Sequence, residues 1–378
     1  MSFIDTTPFQ TRKTLLTRYS ERIQAYHRGE NPYPVQVEVN LCGSCTQDCH
    51  WCINRNTHGI NSQSMILKLN DPGVERFFRD FSRLGGTAVG WSGGGEPTLH
   101  PQFVKALEMA ASADLCQGLF THGVFPECLV KHISTHCEWV RVSIDTHNPT
   151  SYARRRCTKK SAFNTVMRNI EKLVDQHKTR VGLNMNVSEW NKGDIQPLFD
   201  LACKLNVAYL QIRPTLPTPF LNKMSEDFLF TESIPSIAQF LMQLSASRKK
   251  SDPELIVSWD KFDDLLRPGA GRNDPVWGYK GCAAHNLFVV LNYNGNLMVC
   301  MYHLNNPNFV LGNIYDTNTL EAIWQSCNDV RHFCSTLDND AIGCQVCCKG
   351  HEINKILLSP QGKNLIFKPD RQHSNVFF

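Results

Sequence analysis

Hydrophobic and polar positions follow two rhythms along this chain, and the rhythms take turns. The first is helical. Between Thr11 and Arg28, the apolar residues Leu15, Leu16, Tyr19, Ile23 and Tyr26 recur at helical spacing, and Gly29 stops the run. After Asn31-Pro32-Tyr33-Pro34 the period drops to two in Val35-Gln36-Val37-Glu38-Val39-Asn40-Leu41, a β-branched strand. Helical patterns then run from Asp71 to Leu84, Pro101 to Ala113, Ala162 to Gln176 and Asp194 to Leu205. On the third of these, Phe163, Val166, Ile170 and Leu173 share one face. Extended patterns fall between them, at Thr87 to Trp91, Gln117 to Phe120, Trp139 to Ile144, Val181 to Val187 and Ala208 to Ile212. Strands alternating with helices of this size predict an α/β fold whose parallel sheet is closed, or nearly closed, as a barrel. Loops leaving the C-terminal ends of such strands form the active face.

Beyond Pro214 the rhythm breaks. A connector marked by Pro214, Pro217 and Pro219 leads to a helix from about Ser233 to Ser247 and then to a polar stretch from Asp252 to Gly281. Cys282 opens a hairpin with strands Leu287 to Leu291 and Leu297 to Cys300, because Asn294-Gly295 between them is a strong turn signal. The expected organisation is an N-terminal helical extension over 1–34, a barrel over 35–250, a linker over 251–280, a small β-hairpin/helix module over 281–352 and a tail over 353–378.

Composition narrows the class. A hydrophobic content of 42% with 20% charged residues describes a globular protein with a sizeable core. A net charge of +4 without a long basic run points to neither nucleic acid nor an anionic membrane as partner. Met1 to Lys13 is polar, and no apolar stretch is long enough to span a bilayer, so the expectation is a cytoplasmic protein without a secretory signal. Sixteen cysteines in such a chain predict metal ligation rather than disulfides.

Four of those cysteines, Cys42, Cys45, Cys49 and Cys52, fall within the loop that leaves the first strand. Cys45, Cys49 and Cys52 stand in the spacing C-x3-C-x2-C, with Trp51 before the last thiol. Three thiolates on one tight loop can ligate three irons of a [4Fe–4S] cluster, whose sites are normally filled by four cysteines. The fourth iron is left open for a ligand, as a catalytic metal requires. A zinc site built from all four thiols is the alternative, but only three residues separate the two pairs, where zinc ribbons place about 15–20. Cys42 then reads as a spare thiol.

This spacing resembles the signature of the radical S-adenosylmethionine (radical SAM) superfamily. The resemblance implies a partial (β/α)6 TIM-like barrel, with SAM chelated at the open iron and a low-potential electron donor such as flavodoxin or ferredoxin as partner. Gly93-Gly94-Gly95-Glu96-Pro97-Thr98, at the end of the second strand, resembles the GGE motif of that family. It implies that Gly93, Gly94, Gly95 and Glu96 approach the methionyl amino group of SAM, a plain tight turn being the alternative. Thr121-His122-Gly123 stands where relatives show Thr-Asn-Gly, so His122 is a departure and reads as a structural histidine. Val142-Ser143-Ile144-Asp145 resembles the segment that contacts the ribose and carboxylate of SAM; Ser143 is the candidate contact, and Asp145 reads as a turn cap. Among Arg154, Arg155 and Arg156, the last aligns with the arginine that pairs with the SAM carboxylate. Asn184, Asn186 and Arg213 point toward the barrel mouth, with Arg213 a candidate for substrate binding or proton removal and a rim salt bridge the alternative.

Cys282-x12-Gly295-x4-Cys300, followed by Cys344-x2-Cys347-Cys348, resembles the twitch and SPASM modules appended to radical SAM enzymes. A full SPASM module would need cysteines where Ile353 and Leu357 stand. The resemblance therefore implies one auxiliary [4Fe–4S] cluster held by Cys282, Cys300, Cys344 and Cys347. Cys348 is an alternative to Cys347, and structural zinc an alternative metal. Cys116, Cys128, Cys137, Cys157, Cys203, Cys327 and Cys334 read as packing residues. The implied activity is reductive cleavage of SAM to a 5′-deoxyadenosyl radical, which takes hydrogen from a small-molecule substrate. A sugar or aminocyclitol alcohol would become a ketone, with the auxiliary cluster as electron acceptor. Peptide modification, forming a thioether or carbon–carbon cross-link, is the alternative, weighed down by the short segment before the first strand. A non-catalytic metal-binding adaptor is the third reading, and the intact three-cysteine and Gly-Gly-Glu motifs speak against it.

Overall fold

A computed structural model of the protein describes residues 18–52, 54, 65–215, 229–266, 279–316, 319–339, 341–342, 344, 348–359 and 362. Its strands are β1 (Gln36–Cys42), β2 (Ala88–Gly94), β3 (Cys116–Thr121), β4 (Trp139–Ser143), β5 (Arg180–Val187), β6 (Tyr209–Pro214), β7 (Glu254–Val257), β8 (Phe288–Leu291), β9 (Asn296–Met298) and β10 (Val310–Asn313). They form one ten-stranded sheet in the order β10-β9-β8-β1-β2-β3-β4-β5-β6-β7. β1 to β7 run parallel. β8 also lies parallel to β1, while β9 and β10 return antiparallel. The sheet ends at β7 and β10 and so curls without closing, the partial barrel that the alternation predicts.

Helices cover the outer face, and the two-residue period of each strand decides what meets them. In β1, Val37, Val39 and Leu41 are fully buried toward the helices. Trp91 of β2 meets Phe78 of the helix Pro72–Arg83 at 6.0 Å between ring centres. That helix starts where Asp71 caps it, its Oδ1 accepting from Gly73 N at 2.8 Å, with Pro72 at the first position. It buries Val74, Phe77, Phe78 and Phe81, each phenyl ring contributing about 2 kcal/mol. The residues of opposite parity point inward. At the floor, Trp139 and Tyr209 lie over glycines of neighbouring strands: a Cβ on Gly118 would meet Trp139 at 2.2 Å, and one on Gly182 would meet Tyr209 at 2.1 Å. Phe120 packs edge-on against Trp139 at 4.9 Å. Above this aromatic floor the lining is polar, from Glu38, Asn40, Ser92, Arg141, Ser143, Asn184, Asn186, Gln211 and Arg213.

The stretch expected as a linker, 251–280, is corrected: β7 pairs parallel with β6, and the helix Trp259–Leu266 follows it. Ile256 and Val257 are buried, so the apolar run behaves as a seventh barrel strand rather than a connector. The expected end of the small module at 352 is likewise crossed by the helix Lys349–Leu357, which buries Ile353, Ile356 and Leu357. Two of the cysteines read as packing residues, Cys128 and Cys157, are exposed; Cys137, Cys327 and Cys334 are buried as expected. The N-terminal helix is described as Ser20–His27; the rest of its expected span, before residue 18, lies outside the described residues. Among the described residues no helix is long and apolar enough to cross a membrane.

Candidate active site

The cysteine loop leaves the C-terminal end of β1 and is held from two sides. On one side is the glycine run at the end of β2. Gly95 N donates to Cys42 O at 2.8 Å, and Glu96 N donates to Ser44 O at 2.8 Å. A Cβ on Gly95 would stand 1.8 Å from Ser44 O, so this position is glycine because the loop's own backbone occupies the space. Gly94, with φ +72, is in the left-handed region. At Gly95 a glycine requirement is set within the protein, between the run and the cysteine loop. Cys42, the spare thiol, is buried and donates to Glu96 O at 3.1 Å.

The Glu96 side chain is engaged within the protein. Its Oε1 accepts from the hydroxyls of Thr98 and Thr121, each at 2.7 Å, and its Oε2 accepts from His122 N at 2.8 Å. Both oxygens are taken, and the carboxylate ties β2 to the end of β3. His122 is structural, as read from sequence. Its Nδ1 accepts from Val124 N at 3.0 Å, which leaves the proton on Nε2, 3.1 Å from Thr46 Oγ1 of the cysteine loop. Burial lowers its pKa below the ordinary histidine value, against the pull of Glu96. It is a neutral bridge.

The second hold comes from the end of the helix Pro149–Arg155. Asp48 N donates to Arg156 O at 3.0 Å, and His50 N donates to Arg155 O at 3.2 Å. The Arg156 guanidinium donates to Gln47 Oε1 at 2.9 Å, reaches Cys49 Sγ at 3.7 Å and forms a buried ion pair with Asp145. Asp145 is not the turn cap that its place in sequence suggested; Asn148 caps the helix instead. With φ +62 and no exposure, Asp145 also accepts from Asn186 N at 2.7 Å, joining β4, β5 and the cysteine loop. Arg156, expected to pair with the carboxylate of SAM, also has a carboxylate partner inside the protein. Trp51, beside the last thiol, stacks on Trp190 at 5.5 Å.

Burial pushes the thiols of Cys45 and Cys49 up to about 12. Thiols so disfavoured as free anions become thiolates when a metal replaces the proton. Their spacing tests which metal fits. A tetrahedral zinc with Zn–S near 2.3 Å draws its sulfurs to roughly 3.8 Å of one another. Among the described residues, the one His/Cys/Asp/Glu group whose ligand atoms all lie within 4.8 Å is Asp264, His351 and Glu352, and no cysteine set closes to that distance. The Cys42 thiol is turned to Glu96 O, which leaves three thiols on the loop, the donor set of a cluster with one open iron. Cys45 Sγ also accepts from Gln47 N at 3.4 Å, a bond that steadies a thiolate.

The C-terminal side brings four more thiols within electrostatic reach of one another, Cys282, Cys300, Cys344 and Cys348. Each sulfur accepts from an N–H: Cys282 from Asn354 Nδ2 at 3.4 Å, Cys300 from Tyr302 N at 3.4 Å, Cys344 from Asn339 Nδ2 at 3.7 Å and Cys348 from His351 N at 3.1 Å. Burial pushes Cys348 up to about 12. Cys347, the other sequence candidate, lies outside the described residues. The helix that follows Cys348 reaches back to the barrel: Lys349 Nζ stands 3.3 Å from Glu38 Oε1 inside it. Of the remaining candidates, Ser143 sits on the inner face beside Asn184, and Arg213 donates to Asn186 Oδ1 at 3.2 Å.

Three thiols at the mouth of a partial parallel barrel, with four more on a module fused to its sheet, define an iron–sulfur protein of the barrel type. The sequence profile of the radical SAM superfamily matches residues 39–202. That of SPASM, an iron-sulfur cluster-binding domain, matches residues 282–349. The chain thus carries a radical SAM domain followed by a SPASM-type iron–sulfur domain. No curated protein matches it. Among solved structures, SuiB of Streptococcus suis bound to S-adenosylmethionine is similar with a TM-score of 0.64 and 13% identity, over 84% of this chain and 72% of SuiB. Native anSMEcpe with bound AdoMet is similar with a TM-score of 0.59 and 18% identity, over 80% of this chain and 83% of its own. At these identities the likeness is one of fold.

Proposed function

We propose that the protein is a radical SAM oxidoreductase acting on a polar molecule bound in the barrel. Cys45, Cys49 and Cys52 would hold a [4Fe–4S] cluster with SAM at the open iron. Cys282, Cys300, Cys344 and Cys348 would hold an auxiliary [4Fe–4S] cluster. When bound, these groups supply one-electron cleavage of SAM to a hydrogen-abstracting radical and an acceptor for the second electron. Everything else falls to the chain. Arg156, Asp145, Gln47, Gly95 and His122 fix the cysteine loop, and the aromatic floor closes one end of the barrel to water. The polar wall from Glu38 to Arg213 would hold the substrate by its hydroxyl, amide or charged groups, with Arg213 contacting it.

The single observation carrying this reading is the donor set: three thiols on the loop that leaves β1 at the mouth of a parallel barrel, and four more within electrostatic reach of one another on the C-terminal side. The test is anaerobic reconstitution with iron and sulfide, followed by a low-potential reductant and SAM. About eight irons per chain and release of 5′-deoxyadenosine are expected. Tightly bound zinc, or no cleavage by iron-loaded protein, would sink the proposal. SuiB bound to precursor peptide SuiA and anSMEcpe bound to peptides share this fold. Peptides therefore form the second arm of a deuterium-transfer screen whose first arm is hydroxylated small molecules.

The assignment of Cys348 separates from that of Cys347 by substitution. Cys348→Ser is expected to lower the iron content from about eight to about four per chain, the loss of one cluster. Cys347→Ser should keep the full load. The reverse pattern, read by iron analysis and electron paramagnetic resonance, would return the ligand role to Cys347.

A further inference from the structure

Inside the barrel, above the aromatic floor, two guanidinium groups have no carboxylate partner among the described residues. Arg141, in the middle of β4, donates from Nη1 to the side-chain oxygen of Gln211. It lies over Phe120 at 4.3 Å and Trp139 at 5.3 Å, and its buried Nε has no hydrogen-bond partner among the described residues. Arg213, on β6, donates from Nε at 3.3 Å and from Nη2 at 3.2 Å to a single oxygen, Asn186 Oδ1. Among the described residues no carboxylate stands within 4 Å of either group. Glu38, the nearest inward acid, is occupied, taking Lys349 at 3.3 Å on Oε1 and Ser92 Oγ at 3.1 Å on Oε2.

Charges removed from bulk water are normally paired with an opposite charge. Here two cations, close enough to raise each other's energy, meet neutral amides and aromatic faces among the described residues. Burial pulls the Arg141 guanidinium down to about 10, and Arg213 pushes the same way against Tyr209 and Glu38. It remains charged near neutral pH. The site is also reachable. In β4 and β6 the burial alternates, and the half-buried positions are the inward ones, Arg141, Ser143, Gln211 and Arg213.

We propose that Arg141 and Arg213 together bind an oxyanion, a carboxylate or phosphate, carried by the substrate. The guanidinium fork matches either group in two parallel hydrogen bonds, and Gln211 and Asn186 hold the two forks in place until it arrives. The proposal rests on the barrel interior being the substrate chamber, and it narrows that substrate to an anionic one. SAM carries a carboxylate too, so the two sources must be told apart.

Equilibrium dialysis on the reconstituted full chain does so, with radiolabelled phosphate, malonate and SAM as probes. The wild-type protein should bind phosphate or malonate. Arg141→Gln and Arg213→Gln should each weaken that binding by about tenfold or more, the usual effect of losing a charge-assisted hydrogen bond. SAM should bind both variants as it binds the wild type. Arg141→Lys and Arg213→Lys keep the charge without the fork and should fall between; they stand in if a glutamine variant loses its iron. Three outcomes overturn the proposal: neither anion binds the wild type, binding ignores both arginines, or SAM affinity falls in step with anion affinity. Cleavage of SAM by the wild type is scored separately. Anion binding without cleavage would sink the radical-enzyme reading and leave the site itself standing, whereas cleavage without anion binding would sink only this inference.

Discussion

Replacing Gly95 with alanine is expected to strip the protein of its catalytic cluster while sparing the auxiliary one. A methyl group there would lie 1.8 Å from Ser44 O and 2.7 Å from Ser44 N, both backbone atoms on the segment that presents Cys45. Neither neighbour can turn aside as a side-chain tip would. The pairs Gly95 N to Cys42 O and Glu96 N to Ser44 O, each 2.8 Å, must open for the chain to fit. Overpacking of a tight site costs about 1–3 kcal/mol, and here the strain falls wholly on the cysteine loop. Iron content should drop from about eight to about four per chain, and 5′-deoxyadenosine release should fall below about one per cent of wild type, more than about 2.7 kcal/mol in barrier terms. Gly193→Ala is the control, since nothing lies within 4 Å of the added methyl. A Gly95→Ala protein with full iron and turnover would show that this contact does not fix the loop.

Arg156→Gln is the second large effect. Asp145 has no exposure, and its partner guanidinium is almost as deeply buried. Breaking a buried ion pair from one side costs about 3–5 kcal/mol, because the remaining charge is stranded. The same change removes the contacts to Gln47 and Cys49. Urea unfolding should show the loss, together with faster release of iron from the first cluster. Asp145→Asn in the same chain removes the stranded charge and should recover much of the stability, but not the hold on the loop. If the double variant unfolds no later than Arg156→Gln alone, the penalty does not come from the pair.

Much of this architecture is written in local pattern. The six strands from β1 to β6 fall within about three residues of their expected spans, since alternation in Val35 to Leu41 or Val181 to Val187 is a property of a few neighbouring residues. The Cys45, Cys49, Cys52 spacing is equally local. What sequence hides is pairing between distant segments. Arg156 aligns with a ligand-binding arginine, and its pairing with Asp145, eleven positions earlier, shows only once the chain turns back through a left-handed residue. Glu96 is claimed in the same way by Thr121 and His122. Arg141 draws no notice in the run from Trp139 to Ile144, although it shares the parity of Ser143. A charged residue at an inward position of a barrel strand is the available signal. β7 is four residues long, too short to assert itself inside a polar stretch.

The junction between β8 and β1 has a practical side. Four residues of the C-terminal hairpin, Phe288 to Leu291, cover the flank of the strand that carries the catalytic loop. A chain truncated ahead of them would bare a row of unsatisfied backbone groups, an invitation to stick to other copies. The catalytic half is thus no detachable cassette: anyone wishing to swap its appendage for another must graft a substitute edge onto the same spine.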